Sequence, residues 1–164
     1  MSNNLWAPWR MDYILEPKKD GCVFCDAWKS NTTNAEDNLI IGTDDSCFVI
    51  MNRYPYSHGH IMVVPARHVS NLDDLTSQER ICLFNLLVKA QSVLTKTLAP
   101  QGLNIGMNIG KAAGAGIADH LHIHIVPRWD GDTNFMPIIA DVRVMPQHLY
   151  ATCASLAAEF KERR

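Results

Sequence analysis

Three histidines stand at alternate positions in the last third of the chain, at His120, His122 and His124. Aliphatic residues separate them, and this alternation has the period of a β-strand. Because successive side chains of a strand point to opposite faces, the three imidazoles are predicted to share one face. Imidazoles in such a row can attack phosphorus, bind a metal or transfer protons near neutral pH. A half-exposed strand without chemistry is the alternative, although Ser, Thr or Lys would serve that purpose equally well.

A loop of small residues leads directly into these histidines. Residues 110–116 include three glycines, and Lys111 adds a positive charge. Glycine costs conformational entropy on folding, so a fold tolerates such a run where the backbone must approach another group closely. Several backbone N–H groups of such a loop can bind one anion. The loop's position predicts a phosphate held beside the imidazoles, and a flexible hairpin loop is the alternative explanation.

Cys22 and Cys25 form a C-x-x-C pair. A redox role would require a thioredoxin-like βαβ context, which the sequence pattern does not show. A zinc site would require two further ligands, which His68 and one histidine of the alternating row could supply. Two partly buried thiols without a metal are the third interpretation.

Two asparagines, Asn52 and Asn108, each end a predicted strand near the presumed site. Their amides can hydrogen-bond ribose hydroxyls or phosphate oxygens, although a single asparagine at a strand end often only forms a turn. Together with the glycine-rich loop, they favour nucleotide chemistry over a catalytic zinc held by three histidines.

Hydrophobic periodicity predicts the elements that position these residues. Five short strands are predicted, at residues 39–41, 46–52, 60–65, 103–108 and 121–126. Thr76 and Glu79 have the spacing of a capping box and predict a helix to about Leu98. Its inner face is predicted to consist of Ile81, Phe84, Val88, Gln91 and Leu98. A second helix is predicted from Pro146 to about Lys161, with an inner face of Leu149, Cys153, Leu156 and Phe160.

These elements predict an α+β fold, in which an antiparallel sheet of about five strands carries one long crossing helix and a C-terminal helix. The length of 164 residues and the hydrophobic fraction of 47% fit one globular domain, which we expect over residues 22–164. Residues 1–21 are expected to form an N-terminal arm. Trp6 and Trp9 are too apolar for a free tail, so the arm should pack on the body or on a second subunit.

Composition excludes several classes of protein. The formal net charge of -2 argues against a general nucleic-acid binder. The N-terminus has no apolar run typical of a signal peptide, and no stretch is expected to reach the length of a membrane span. The chain has five cysteines, an odd number, and we expect a reduced, cytoplasmic setting in which metal binding or burial replaces disulfides.

The histidine row followed by Pro127 and Arg128 resembles the signature of the histidine triad (HIT) superfamily of nucleotide hydrolases and transferases. Residues 52–65 resemble the ribose-binding and fourth-histidine segment of the branch that contains Fhit. Residues 5–11 and 128–135 resemble a bacterial group of diadenosine-polyphosphate hydrolases or phosphorylases. The resemblance covers nearly the whole chain and implies the HIT fold.

The resemblance also implies a role for each candidate residue. His122 would be the nucleophile that attacks the α-phosphorus and forms a nucleotidyl-histidine intermediate. His124 would bond a nonbridging phosphate oxygen, His60 would support the cluster, and Asn52 would hold the ribose. The α-phosphate would be held by Asn108 and by backbone N–H groups around Gly114, Ala115 and Gly116. A structural zinc ion, with no organic cofactor, would be bound by Cys22, Cys25, His68 and His120, the last being also part of the catalytic row.

The implied function is cleavage of a dinucleoside polyphosphate such as diadenosine tetraphosphate, by a cytoplasmic homodimer that binds neither nucleic acid nor membrane. A nucleoside phosphoramidase or adenylyltransferase would use the same intermediate, and a nucleotide-binding sensor with incidental turnover is a third hypothesis. Two positions depart from the family pattern. Gly116 stands where a glutamine is frequent, so the small residues there are expected either to admit a bulkier leaving group or to leave room for an acceptor such as inorganic phosphate. His58 stands where a proline is frequent, and no role follows for it.

Overall fold

One antiparallel sheet organises the described part of the chain. The computed structural model describes residues 21–30, 38–132 and 145–163. The strand order is β1-β2-β3-β5-β4, with bounds Ile40–Thr43 for β1, Cys47–Met51 for β2, Ile61–Pro65 for β3, Gly102–Gly106 for β4 and Ile123–Arg128 for β5. The helices are α1 (Val23–Ser30), α2 (Ser77–Leu98) and α3 (Leu149–Glu162). The predicted α+β class, the five strands and the two long helices are therefore confirmed.

Two predictions concern residues beyond these ranges. The N-terminal arm falls outside the described residues except for Gly21, and so does the end of the segment 128–135. The arm therefore stays a prediction. Helix α1, which carries the C-x-x-C pair at its start, was not predicted from periodicity.

The central strands carry the core. Every residue of β2 and β3 is buried, as expected of unbroken apolar segments in the middle of a sheet. Helix α2 packs on these two strands, and α3 packs on β1 and α2. A side chain at Gly42 of β1 would overlap the ring of Phe160 in α3, so only glycine allows this close approach.

The capping box that starts α2 is present as predicted. The Glu79 N–H donates to Thr76 Oγ1 at 3.2 Å, and the Thr76 N–H donates to Glu79 Oε2 at 2.8 Å. Arg67 donates two hydrogen bonds to the Glu79 carboxylate, at 2.7 and 2.8 Å, which ties the helix start to the end of β3. The helix ends at Ala99 in the left-handed conformation, with φ of 47°.

The predicted inner face of α2 is wrong. Ile81, Phe84 and Val88 are 55%, 66% and 51% exposed, and Gln91 is exposed as well. Leu98 is only half-buried. The residues that face the sheet are Cys82, Leu83, Leu86, Ala90, Val93 and Leu94. The helix is apolar on two faces, so periodicity alone could not indicate which of them meets the sheet.

The expectation about membrane length also needs correction. Helix α2, with 22 residues and a mean hydropathy of 1.2 over its most apolar window, is long and apolar enough to cross a membrane by these criteria. A core helix passes the same test, and α2 places six residues against the sheet and its neighbours. Its apolar character is therefore explained by packing.

Two cysteines contradict the expectation that no disulfide forms. Cys47, the first residue of β2, is bonded to Cys82 in α2, with the two Cα atoms 6.6 Å apart. The pair joins two elements that pack together in the core, at 1% and 8% exposure. Proximity in the fold, which the separation of 35 residues in sequence hides, explains the error. Cys153 is buried on the predicted inner face of α3.

Candidate active site and metal centre

The histidine row begins before its strand. Strand β5 starts at Ile123, where its pairing with Val63 of β3 begins, so His120 and His122 precede it, whereas a strand from residue 121 was predicted. The alternating aliphatic residues are buried in the core as expected, namely Leu121, Ile123 and Ile125. Before the strand, the Leu121 N–H donates to the Val69 carbonyl at 2.7 Å, and the His120 Nε2–H donates to the Pro65 carbonyl at 2.9 Å.

His122 has the tautomer of a nucleophile. Its Nδ1 lies 2.8 Å from the backbone carbonyl oxygen of His120. A carbonyl oxygen only accepts hydrogen bonds, so the proton of the neutral ring is on Nδ1 and a lone pair remains on Nε2. This is the protonation state that an attack on phosphorus requires. A backbone carbonyl therefore fixes this tautomer.

His60 and His124 form a hydrogen-bonded pair beside His122. The N–H of Tyr56 donates to His60 Nδ1 at 3.1 Å, and His60 Nε2 lies 2.9 Å from His124 Nδ1. Since a backbone N–H can only donate, the proton of neutral His60 is on Nε2 and is donated to His124. His124 then carries its own proton on Nε2, where it can donate to a ligand. The His122 and His124 ring centroids are 4.7 Å apart.

Asn52 supports this pair in the ligand-free site. Its Oδ1 accepts the Tyr54 N–H at 2.9 Å, and its Nδ2 lies 3.3 Å from His60 Nδ1. The amide therefore orients the loop and the fourth histidine together. The Nδ2 group of Asn52 has two hydrogens, so the second can be donated to a ligand.

Burial keeps the histidines neutral. Burial lowers the pKa of His60 to about 3, with smaller contributions from His124 and His122. Burial, followed by the charge of His122, lowers the pKa of His124 to about 4. The pKa of His122 is also lowered by burial, against a smaller raising effect of its hydrogen bond to the His120 carbonyl. Neutral rings at physiological pH allow His122 to act as a nucleophile and His124 to act as a hydrogen-bond donor.

These pKa values predict an unusual acid limit. An ordinary histidine, with a pKa near 6.5, would become protonated as the pH falls through that value. With the pKa of His124 at about 4, that of His60 at about 3 and that of His122 also lowered by burial, we expect the acid limit of kcat/KM to lie below the ordinary histidine pKa of about 6.5. A pH–rate profile measures this limit, and a midpoint at 6.5 or above would contradict the neutral pair.

The same pKa values affect stability in a defined direction. The folded pKa values lie below the unfolded value of about 6.5, so the unfolded chain binds more protons between about pH 4 and 6.5. The free energy of unfolding is therefore expected to fall as the pH is lowered through this window.

Four residues from three separate segments of the chain form a compact cluster of potential metal ligands. The ligand atoms of Cys22, Cys25, His68 and His120 all lie within 4.8 Å of one another. His120 Nδ1 lies 3.1 Å from Cys22 Sγ and 3.6 Å from Cys25 Sγ. His68 Nδ1 lies 3.3 Å from Cys25 Sγ. These are the four residues that the resemblance implied.

The cluster fits a tetrahedral ion such as zinc. Bond lengths of about 2.3 Å to sulfur and about 2.0 Å to nitrogen place the ligand atoms of such a site roughly 3.5 Å apart. The donor set of two thiols and two imidazoles is one that zinc prefers in closed sites. The Nε2–H of His120 is donated to the Pro65 carbonyl, which directs Nδ1 of His120 to the metal position.

The glycine-rich loop lies against the start of α1. A cavity of about 410 Å³ separates them, lined by residues 115–119, Lys111 and the first residues of the C-x-x-C segment. Residues Lys111–Ala113 form one 3₁₀ turn, and the Gly114 N–H donates to the Lys111 carbonyl at 3.0 Å. The Gly114 N–H is thus used within the loop. Ala115 and Gly116 border the cavity, while Asn108 follows β4 and is half-buried.

Sequence analysis missed two contributors to the site. Tyr56 supplies the N–H that fixes His60, and its ring centroid lies 4.6 Å from that of His60. Phe24 packs against His120 and His122. The position of Phe24 between the two cysteines was the available signal. His58 lies with its ring centroid 6.1 Å from that of Trp129 and has no catalytic contact among the described residues.

This chain is similar to known proteins. The HIT domain family matches residues 33–131. The AP-4-A phosphorylase of Mycobacterium tuberculosis strain H37Rv is 40% identical over 162 residues, 95% of this chain and 83% of that protein. The asymmetrical bis(5'-nucleosyl)-tetraphosphatase of Schizosaccharomyces pombe is 39% identical over 82 residues, 50% of this chain and 44% of that protein. A Zn-bound histidine triad family protein from Mycobacterium smegmatis is 25% identical, with a TM-score of 0.68 over 87% of this chain and 94% of that chain.

The fold and the site together define an α+β protein in which His60, His122 and His124 cluster around the neighbouring strands β3 and β5 of an antiparallel sheet. The matching domain covers more than half of the chain, and the AP-4-A phosphorylase aligns with nearly all of it. The chain therefore belongs to the HIT domain family, as the histidine row indicated.

Proposed function

We propose that this protein cleaves dinucleoside polyphosphates at the α-phosphate, through a nucleotidyl intermediate on His122. The tautomer of His122 carries the proposal, because its Nδ1–H is donated to the His120 carbonyl and Nε2 is left as the nucleophile. The M. tuberculosis AP-4-A phosphorylase and the S. pombe tetraphosphatase support this class of substrate by similarity. The enzyme is thus a HIT-family hydrolase or phosphorylase.

In the first half-reaction, His122 Nε2 forms a bond to the α-phosphorus, and the bond from phosphorus to the bridging oxygen of the polyphosphate breaks. The leaving polyphosphate keeps that electron pair. His124 donates its Nε2–H to a nonbridging oxygen, whose negative charge it stabilises in the transition state. His60 holds His124 in the donor tautomer. In the second half-reaction an acceptor oxygen attacks the phosphorus, and His122 leaves as a neutral ring.

Binding roles for the other residues are part of the proposal. Asn52 would turn its remaining amide hydrogen to the ribose. Asn108 and the backbone at Ala115 and Gly116 would hold the α-phosphate. The two loop residues border a cavity whose lining extends to Asp119, the residue before His120. Gly114 would shape the loop through its positive φ of 81°.

Inorganic phosphate is the acceptor that we propose. Lys111 lines the cavity beside the loop and can attract an anion there. With diadenosine tetraphosphate, phosphate attack on the intermediate yields ADP, and the leaving group is ATP. Water attack would yield AMP instead. Chromatography of products with and without phosphate separates these outcomes, and absence of cleavage under either condition would contradict the proposed function.

Gly116 offers a test of the open leaving-group side. A Cβ at this position meets no heavy atom within 4 Å, so a side chain can start there without a clash at its first carbon. We expect Gly116→Gln to reduce cleavage of diadenosine tetraphosphate, because its side chain fills the space for the long leaving group. A small nucleoside phosphoramidate serves as the control substrate and should be affected less. Equal losses of kcat/KM on both substrates would contradict the steric explanation.

We also propose that Cys22, Cys25, His68 and His120 bind one structural zinc ion. The compact cluster of donor atoms supports this, as does the Zn-bound relative from M. smegmatis. With four protein ligands the site has no open position for substrate, so zinc would contribute stability rather than Lewis-acid chemistry.

A homodimer is the proposed assembly. Helix α2 exposes Ile81, Phe84 and Val88 at helical spacing, and β4 is an edge strand whose Ile105 is 44% exposed. Apolar faces and free strand edges of this kind are commonly covered in symmetric dimers. We also propose that residues 22–164 form one domain and that residues 1–21 form an N-terminal arm that packs on the body or on a second copy.

The proposed location is the cytoplasm, without nucleic-acid or membrane partners. Zinc binding by Cys22 and Cys25 requires thiolates, which a reducing compartment preserves. The Cys47–Cys82 bond is uncommon in such a compartment, but it is buried, and burial slows thiol exchange. The net charge of -2 gives no general attraction to nucleic acid.

A further inference from the structure

Phe24 lies between the thiol–imidazole cluster and the candidate nucleophile His122. It lies between Cys22 and Cys25 in the first turn of α1 and is 1% exposed. Its ring centroid is 5.4 Å from that of His120, edge-on, and 5.1 Å from that of His122. One aromatic side chain therefore contacts both a candidate metal ligand and the candidate nucleophile.

A second connection joins the same two groups through the backbone. The His120 ring is held from both sides, by the thiols at Nδ1 and by the Pro65 carbonyl at Nε2. The carbonyl of the same residue accepts the Nδ1–H of His122 at 2.8 Å. A shift of the His120 backbone on loss of a metal would therefore move the carbonyl that fixes the tautomer of His122.

Helix α1 depends on its surroundings for order. It has eight residues, and isolated helices of this length are unstable in water. Ligation of Cys22 and Cys25 would fix both ends of the turn that holds Phe24. Without that ligation, the packing of Phe24 on His122 would have to be maintained by contacts of the short helix alone, such as the stacking of Trp28 on Phe48.

We propose that Phe24 is a positioning residue, through which the metal site and the His120 backbone hold the nucleophilic ring of His122 in its reactive orientation. The inference rests on the proposed function for the role of His122, but the contacts of Phe24 and of the His120 carbonyl from which it is argued are present in the structure. It gives the metal site a second effect beyond stability, which is to set the rate of the chemical step.

The test uses the full-length holoprotein with Phe24→Leu and a matched control, Trp28→Leu, which removes an aromatic ring from the same helix but contacts Phe48 instead of the histidines. Three quantities are measured: bound metal per chain, kcat and KM separately, and the side-chain ¹⁵N resonances of His122. Those resonances report which nitrogen carries the proton. Wild-type protein depleted of metal by a chelator is a third sample.

We expect Phe24→Leu to keep its metal and to lose about 10- to 100-fold in kcat, with KM nearly unchanged, because the nucleophile is misplaced while binding groups remain. Its His122 resonances should shift toward a mixture of tautomers, and metal-depleted wild type should show the same shift. Trp28→Leu should resemble wild type in all three measurements.

Unaltered His122 resonances in both Phe24→Leu and metal-depleted protein would overturn the inference, whatever the activity. Equal losses in Trp28→Leu would also overturn it, since general destabilisation would then explain the effect. Failure of the proposed function has a different signature. Wild-type holoprotein would then not cleave dinucleotides, while the resonances of His122 would still show whether its tautomer follows the metal.

Discussion

Replacing His122 with alanine is expected to reduce kcat on diadenosine tetraphosphate by several orders of magnitude, on the order of 10³-fold or more. The physical reason is that the His120 carbonyl leaves Nε2 of His122 unprotonated and able to attack, whereas the unprotonated Nδ1 of His120 faces the thiols. Without it no nucleotidyl intermediate forms, and direct attack by the acceptor lacks covalent assistance. Nucleotide affinity should change little, because the ribose and phosphate contacts remain.

Three quantities are measured: steady-state turnover, calorimetric binding of a nonhydrolysable analogue, and the mass of the enzyme when the reaction is stopped after brief exposure to substrate. Wild type should carry a nucleotidyl group that His122→Ala lacks. His148→Ala is the control, because this histidine precedes α3 and is exposed. Near-normal turnover in His122→Ala would exclude the covalent mechanism.

Replacing Cys25 with serine is expected to abolish zinc binding and to lower the melting temperature substantially. Purified wild type should contain about one zinc per chain, held at the site where Cys25 Sγ lies near both His68 and His120. A serine hydroxyl is a poor ligand for zinc, and metal binding contributes directly to the free energy of folding. Metal analysis and thermal unfolding measure the two effects.

Chelation provides the internal control for this prediction. Removing metal from wild type should lower its melting temperature to that of Cys25→Ser, and chelator should not destabilise the variant further. A wild-type protein that is free of metal at full stability would contradict the structural zinc. The cluster would then be a set of hydrogen-bonded thiols and imidazoles.

Local signals in the sequence predicted much of the fold, and the errors arose where tertiary contacts decide. The capping box at Thr76 and Glu79 is a short-range pattern, and it correctly marked the start of α2. The orientation of α2 depends on which apolar face meets the sheet, and Phe84 on the other face is 66% exposed. The bond between Cys47 and Cys82 likewise depends on packing between distant segments.

The candidate site was predictable by residue type but not by arrangement. The spacing of the histidines and of Cys22 and Cys25 indicated the groups that the structure brings together. The separate direction of the His120 ring, away from His124 and toward the thiols, could not be read from alternation, because the strand begins only at Ile123. The backbone groups that fix the tautomers carry no sequence signal at all.

The hydrogen bonds from Tyr56 through His60 to His124 have a fixed polarity. The Tyr56 N–H donates to His60, and His60 donates to His124, so the backbone amide determines that His124 carries its proton on Nε2. That amide belongs to the main chain and is supplied by every amino acid except proline. The backbone at position 56 therefore sets the direction of these hydrogen bonds for any residue except proline, and the chain places its proline one position earlier, at Pro55.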